Sequence, residues 1–356
     1  MTSPRTFVIA EAGVNHNGSL DMARELIDVA AAAGADAVKF QTFNAERMIS
    51  RHAAKADYQK WTTGAAESQL EMLRRLELDA AAHKVLIEHA RRAGITFLST
   101  PFDAESVDLL AKEFDLPIIK ISSGDITNGP LLLDIARHRK HVILSTGMSS
   151  LDEVELALGA LAFGYLGRDD PSPAKFQKAF ADERTLLCEH VSLLHCTSEY
   201  PAPFENINLR AMDTLRAAFG LPVGLSDHSV GITIPIAAVA YGAGMIEKHF
   251  TLDRTLPGPD HRASLEPAEL KTMVTGIRQV EMAIGDGIKQ PTPAEQRNAV
   301  IARKSLVAGR SIRQGEVFSP DNIAIKRPGQ GISPMQYWRW VGTSAQRAYA
   351  QDEILD

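Results

Sequence analysis

At 356 residues the chain exceeds one ordinary domain, which favours a large domain with a smaller companion. It is 45% hydrophobic and 23% charged, which excludes a disordered chain, and a net charge of −6 argues against nucleic acid as the main partner. Two cysteines, Cys188 and Cys196, are too few for a disulfide framework, and no apolar stretch approaches the ~18 residues of a membrane span. With no signal peptide in view, the expectation is a cytoplasmic protein without a membrane partner.

Taken in order, the chain repeats a short apolar run followed by an amphipathic stretch. The runs are Phe7-Val8-Ile9-Ala10, Ala37-Val38-Lys39-Phe40, Ile95-Thr96-Phe97-Leu98 and Ile118-Ile119-Lys120-Ile121. Val142-Ile143-Leu144, Val191-Ser192-Leu193-Leu194, Val223-Gly224-Leu225 and Met245-Ile246 complete a set of eight. Continuous apolar runs of this length predict parallel strands buried on both faces. Leu20 to Ala33, Ala104 to Glu113, Leu151 to Leu161 and Ile234 to Tyr241 carry apolar residues at helical steps, and Ser19, Asp103 and Ser150 stand where N-caps belong. Eight β-then-α units predict an α/β fold, a (β/α)₈ TIM barrel over residues 1–283. An open doubly wound sheet would want a glycine-rich phosphate turn after its first strand, where Glu11-Ala12-Gly13-Val14-Asn15-His16 stands instead.

Two insertions break the rhythm. Residues 42–80 hold Tyr58, Trp61 and a helix-like Glu67 to Leu76, while 163–190, rich in Asp, Pro and Lys, reads as a solvated excursion. Residues 284–299 read as a linker by composition, and 300–356 as a small domain of turns and short strands that needs a surface to dock on.

In a barrel of this kind the active site lies at the C-terminal mouth of the strands. The first run is followed by Glu11 and Asn15-His16-Asn17-Gly18, and the second carries Lys39 and Gln41. The third ends at Ser99-Thr100-Pro101, the fourth carries Lys120 and then Ser122-Ser123-Gly124-Asp125, and the fifth ends Ser145-Thr146-Gly147-Met148. His195 through Tyr200, Ser226-Asp227-His228 and Glu247-Lys248-His249 finish the set. Solvated loop polars would explain any one of these positions. All eight together point to a site, because buried charge is costly unless paired.

Lys39 and Lys120, embedded in apolar sequence, suit a phosphate cradle with Thr100, Ser123, Ser145 and Ser226. An internal ion pair with Glu11 or Asp125 is the plainer alternative, and it accounts for one lysine more easily than for two. His228 and His249 stand on adjacent strand ends and can share a divalent ion, with Asp227, Glu247 and Asp260 nearby. His195 suits a structural or supporting role. Cys196 suits a buried structural thiol, since no spacing places a histidine to activate it.

Together these segments resemble the sialic acid synthase family, the bacterial nonulosonic acid synthases. The likeness runs from Glu11-Ala12-Gly13-Val14-Asn15-His16-Asn17-Gly18 through Gly224-Leu225-Ser226-Asp227-His228, Glu247-Lys248-His249-Phe250 and Pro257-Gly258-Pro259-Asp260 to Lys326-Arg327-Pro328-Gly329. It implies a C-terminal antifreeze-like (SAF, β-clip) domain that caps the partner's barrel in a domain-swapped homodimer. It also implies condensation of phosphoenolpyruvate with an N-acetylated amino sugar, N-acetylmannosamine or 2,4-diacetamido-2,4,6-trideoxymannose, releasing phosphate by C–O cleavage. Lys39, Thr100, Lys120, Ser123, Ser145, Ser226 and, replacing an asparagine of some relatives, Ser198 would hold phosphoenolpyruvate. His228 and His249 would bind Mn²⁺ or Mg²⁺. Gln41, Asp125, Tyr200 and Asp260 would meet the sugar, Arg327 would reach its N-acetyl group from the other subunit, and Glu11 or Asp125 would relay a proton. Asp125 stands in place of a frequent glutamate, and segment 53–76 resembles the legionaminate branch.

Overall fold

The computed structural model describes residues 5–55, 59 and 67–356, so Tyr58 and Trp61 lie outside the described residues. Eight strands form one parallel sheet: β1 (Phe7–Gly13), β2 (Ala37–Thr42), β3 (Thr96–Pro101), β4 (Ile118–Ile121), β5 (His141–Ser145), β6 (Val191–Cys196), β7 (Val223–Asp227) and β8 (Met245–His249). The hydrogen-bonded order is β3-β2-β1-β8-β7-β6-β5-β4, and its two ends, β3 and β4, lie side by side. The result is a (β/α)₈ near-barrel with every predicted run in it.

Alternation along each strand sorts the side chains. Val8, Ala10, Val38, Phe97, Ile119, Val142, Leu193 and Ile246 point outward and join the helices in the main core. Ile9, Ala37, Leu98, Ile143 and Leu194 point inward and fill the lower barrel, with Phe7, Ile118 and Met245 against them. The next inward position on each strand, one step toward the C-terminal end, is where polar residues begin.

The helices start where the sequence places their caps. Ser19 accepts from Met22 N ahead of Leu20–Ala33, and Asp103 accepts from Ser106 N ahead of Ala104–Asp108, which continues as a π-helical turn over Leu109–Glu113. Ser150 and Glu153 form a capping box for Leu151–Tyr165.

The excursion at 163–190 is not solvated. The helix before it runs on through the buried Phe163 and Tyr165, and two further helices follow, Pro173–Asp182 and Arg184–His190. Phe163 packs edge-on against Phe176 with ring centres 5.5 Å apart, while Phe176, Ala179, Phe180 and Leu187 are buried. Asp, Pro and Lys dominate the composition, but the apolar residues fall at helical spacing and are the ones that pack.

The chain divides into two compact units, Met1–Asp286 and Gly287–Asp356. Part of the expected linker is helical: Pro293–Ala302 is capped by Thr292, whose side chain and that of Glu295 form a capping box. In the second unit β9 (Ser305–Ala308) pairs antiparallel with β10 (Ile323–Lys326). Leu306, Ile312, Phe318, Ile323, Tyr349 and Leu355 make its small core. Among the described residues no helix is long and apolar enough to cross a membrane.

Candidate active site

A cavity of about 280 Å³ opens at the C-terminal ends of the strands. Its floor is the second inward layer. Glu11, Lys39, Thr100, Lys120, Ser145, Cys196, Ser226, Glu247 and His249 all line it, and Gln41, Ser123, Ser198, Tyr200, His228 and Asp260 rise around them.

Strand register explains the pairs. Glu11 lies opposite Lys39 on β2 and His249 on β8, and Ser226 lies opposite Glu247. Lys39 Nζ stands 2.8 Å from Glu11 Oε2 and 3.7 Å from Glu247 Oε2, and donates to Thr100 Oγ1 at 3.1 Å. Lys120 Nζ donates to Ser145 Oγ at 2.8 Å and stands 3.6 Å from Glu247 Oε1, which also accepts from Ser226 Oγ at 2.8 Å. The internal ion pair therefore holds for both lysines, with Glu247 as the shared partner and Asp125 uninvolved. Both ammonium groups nonetheless face the cavity, so an anion entering it meets two cations and three hydroxyls.

Burial shifts these groups. It lifts Glu11 above the usual carboxylate range, partly offset by Lys39. Burial would also lift Glu247, but Lys120 and Lys39 together hold it below that range. Burial depresses Lys120, whereas for Lys39 the same effect is outweighed by Glu11 and Glu247. Two lysines and two carboxylates thus form a closed charge network, which is how four ionisable groups stay buried.

The two histidines stand at the end of β8 and just past β7, with ring centres 5.5 Å apart. The Tyr200 ring lies 4.0 Å from His228 and perpendicular to His249 at 5.7 Å. His228 Nδ1 donates to the Thr197 carbonyl at 2.7 Å, so Nε2 is the nitrogen left toward the cavity; burial would lower this histidine, but Cys196 and the Thr197 carbonyl hold it above its ordinary value. Burial holds His249 far below its ordinary value, hence neutral, and its Nδ1 is buried with no hydrogen-bond partner, 4.0 Å from Asp260 Oδ2. Asp260 itself is pushed up to about 6 by burial.

Some expected residues stand elsewhere. Asp125 accepts from Ser122 Oγ at 2.6 Å and from Asn128 Nδ2 at 3.3 Å, so its carboxylate is held within its own turn and does not line the cavity. Arg327 follows β10 in the second unit. His195 points outward, its Nε2 bonded to the Ile207 carbonyl at 2.6 Å, in a structural position. Cys196 is inward, with His228 Nδ1 at 3.8 Å. Burial pushes its thiol up, but the imidazole beside it brings it below its ordinary value. Sequence spacing missed that neighbour because the two lie on adjacent strands, 32 residues apart.

Two site features are read only in part from the sequence, which names Glu247 beside the histidine pair and Gly147 at a strand end without their roles. Glu247 is two residues before His249, and period-two alternation alone puts both on the inner face. Gly147 admits Ser123 and Ser198: a Cβ there would stand 2.8 and 2.3 Å from their hydroxyl oxygens, and Ser123 Oγ accepts from Gly147 N at 2.9 Å.

A charged barrel floor with a histidine pair above it, in a chain that also carries a second, small β unit, is a combination that comparison with known proteins can place. The sequence matches the NeuB family over residues 26–289 and the SAF domain over residues 303–355. The chain belongs to the NeuB family. It is 53% identical over 351 residues to the N,N'-diacetyllegionaminic acid synthase of Campylobacter jejuni, covering 99% of both chains. It is 43% identical to the N,N'-diacetyllegionaminic acid synthase of Legionella pneumophila, over 96% of this chain and 91% of that one. Among solved structures it resembles the N-acetylneuraminic acid synthetase of Leptospira borgpetersenii, with a TM-score of 0.68 and 36% identity over 83% of this chain and 90% of that one.

Proposed function

We propose that this NeuB-family enzyme condenses phosphoenolpyruvate with 2,4-diacetamido-2,4,6-trideoxymannose, giving the nine-carbon N,N'-diacetyllegionaminate and inorganic phosphate. The observation that carries the choice of sugar is the 53% identity to a diacetyllegionaminic acid synthase, sustained over 99% of both chains. N-acetylmannosamine is the second reading, favoured by the likeness to an N-acetylneuraminic acid synthetase.

The floor suits the reaction. Lys39, Lys120, Thr100, Ser145 and Ser226 offer cations and hydroxyls to the phosphate and carboxylate of phosphoenolpyruvate, with Ser123 and Ser198 closing the side next to Gly147. Carbon 3 of phosphoenolpyruvate attacks the aldehyde carbon of the open-chain sugar, forming the new C–C bond. The aldehyde oxygen takes a proton. Water adds at carbon 2, giving up a proton, and as phosphate leaves with its bridging oxygen by C–O cleavage the new carbon-2 hydroxyl passes its remaining proton to phosphate and becomes the carbonyl. Glu11, buried against Lys39 and raised above the usual carboxylate range, is placed to take the proton from that water. Asp125 is set aside for this role, since its carboxylate is bonded within its own turn.

The histidines fit a divalent cation. Among the described residues no group of three His, Cys, Asp or Glu side chains is assembled to hold a metal ion. His249 Nδ1, buried and unpartnered, and His228 Nε2, the ring nitrogen not bonded to Thr197, would nonetheless hold the ion where both rings face the cavity, with His228 giving up any proton on binding. Mn²⁺ or Mg²⁺ bound there supplies Lewis-acid polarisation of the sugar carbonyl. Arg327 would come from a second copy, in a dimer whose C-terminal domains are exchanged. A cytoplasmic location suits an enzyme that consumes phosphoenolpyruvate.

The test is phosphate release from phosphoenolpyruvate with Mn²⁺, comparing the two sugars. Faster release with the diacetamido sugar supports the proposal, and faster release with N-acetylmannosamine selects the second reading. Release with neither, from folded protein, overturns both.

A further inference from the structure

The cavity has two layers, and the mechanism uses only the lower. Above the charged floor, on the side of β1, β2 and β3, the same segments continue into apolar residues. Val14 follows Glu11 by three positions, Phe102 follows Thr100 by two, and Met48 stands in the short helix Ala45–Met48 just after β2. Met72 and Leu73 complete the surface from the helix Gln69–Arg74. All five line the cavity. They belong to a separate apolar cluster with Phe43, Ala45 and Leu76, built by the insertion after β2. The facing side carries Tyr200, His228, His249 and Asp260. Gln41, Gln59 and Gln69 interrupt the apolar surface with three amides.

We infer that this apolar wall is the specificity-determining surface of the sugar site and that it receives the deoxygenated end of the sugar, the C6 methyl with the neighbouring 4-acetamido methyl. The inference rests on the proposed reaction, which fixes the direction of the sugar. Its aldehyde carbon must lie at the histidines and against phosphoenolpyruvate on the floor, so the far end of the open chain extends upward, toward the wall or toward the polar side. A sugar ending in a methyl group loses apolar surface to water by lying on Met48, Met72 and Leu73. A sugar ending in hydroxyls would set them against Met48, Met72 and Leu73, which offer no hydrogen bond, and among the described residues of these segments above the floor only the amides of Gln41, Gln59 and Gln69 could replace the lost water. An apolar pocket rejects an added hydroxyl by roughly a hundredfold and values one buried carbon at ten- to two-hundredfold, so the wall can separate the two sugars. The methionines suit the task, because flexible thioethers fill the gaps between a methyl and an acetamido group.

The test compares kcat/KM for 2,4-diacetamido-2,4,6-trideoxymannose and N-acetylmannosamine in the full-length protein with Mn²⁺. Met48 and Phe102 are only half-buried, so Met48→Gln and Phe102→Gln are the variants of choice, with thermal melts to show that they fold. The preference for the diacetamido sugar falls on the order of tenfold in each, and Met48→Leu keeps it. A merely structural role would lower both sugars together and leave the ratio unchanged. An unchanged ratio in folded variants, with wild type still preferring the diacetamido sugar, overturns the wall and leaves the proposed reaction standing. A wild-type enzyme that ignores the diacetamido sugar overturns the choice of substrate, and this inference with it.

Discussion

Lys39 and Glu11 face each other from adjacent strands as an enclosed ion pair, Nζ to Oε2 at 2.8 Å, with both side chains almost wholly buried. Removing one partner strands the other. Lys39→Met is expected to destabilise the barrel by about 3–5 kcal/mol in urea unfolding. The loss grows as pH rises, because a buried carboxyl already lifted by burial keeps its proton at low pH and must give it up or stay unpaired at high pH. Adding Glu11→Gln recovers most of the stability, since a neutral amide replaces the stranded charge. Neither protein binds phosphoenolpyruvate by calorimetry. A single mutant as stable as wild type at pH 8 would refute the pairing argument.

Gly147 separates function from folding. A Cβ at this position meets no backbone atom among its nearest neighbours, only the Ser198 and Ser123 hydroxyls, which can swing away, and the Ser123 Cβ at 3.2 Å, which must give by a few tenths of an ångström. Gly147→Ala is therefore expected to unfold within about 1 kcal/mol of wild type, while its KM for phosphoenolpyruvate rises about tenfold or more as both serines leave their places. Gly159→Ala is the contrast. Its Cβ would meet the Phe176 carbonyl oxygen at 2.3 Å, a backbone atom held by two packed helices, so stability falls and the KM of the surviving folded enzyme stays put. Equal effects from the two substitutions would contradict this division.

The barrel was legible because parallel strands buried on both faces leave short apolar runs, and caps such as Ser19 and Ser150 mark where helices begin. Most of the site was legible for the same reason, since polar residues stand out at the ends of apolar runs. What failed was direction. Asp125 and Ser123 sit two residues apart after β4, yet only Ser123 reaches the cavity, because Asp125 caps its own turn through Ser122. Glu247 stands out beside His249, but its role as shared partner of Lys39 and Lys120 does not, since the sequence equally offers Lys248, whose charge is spent outward on Asp227 at 2.6 Å. Composition misled at 163–190 and again at Pro293–Ala302, where the Thr292–Glu295 capping box was the better guide. The apolar wall gave no signal. Methionine and leucine in an insertion look like ordinary core until a cavity is seen beside them.

Acid stability turns on His16, which is buried without being near the proton chemistry. Its Nδ1 accepts from Gly18 N at 3.0 Å, so the neutral form with hydrogen on Nε2 is the one the fold requires. Burial brings it down from 6.5 to about 4. The unfolded chain binds a proton below about 6.5 that the folded chain refuses until about 4, so stability falls as pH drops through this window. The share due to His16 is up to about 3 kcal/mol, lost between the two values. His16→Asn keeps an acceptor for Gly18 and removes the titration. Its urea midpoint at pH 7 is expected below wild type because of the smaller side chain, but the further drop from pH 7 to pH 4.5 is smaller. A pH dependence identical to wild type would exclude His16 as its source.

Exchange of C-terminal domains makes a prediction that no single mutant can. If the proposed roles hold, Arg327→Ala and His249→Ala each abolish turnover, the first by losing the proposed sugar contact and the second by losing the proposed metal ligand. If Arg327 acts on the barrel of a second copy, a mixed dimer carries one site with both residues intact. Its barrel comes from the Arg327→Ala chain and its capping arginine from the His249→Ala chain. Equal mixing with subunit exchange puts half of the chains into such dimers, and each has one working site of two, so about a quarter of wild-type activity returns. If Arg327 serves its own barrel, every site in the mixture lacks one residue and nothing returns. Light scattering on each variant shows whether dimers exist at all. Phosphate release from the mixture after co-refolding then decides between a site completed by the partner and a site complete within one chain.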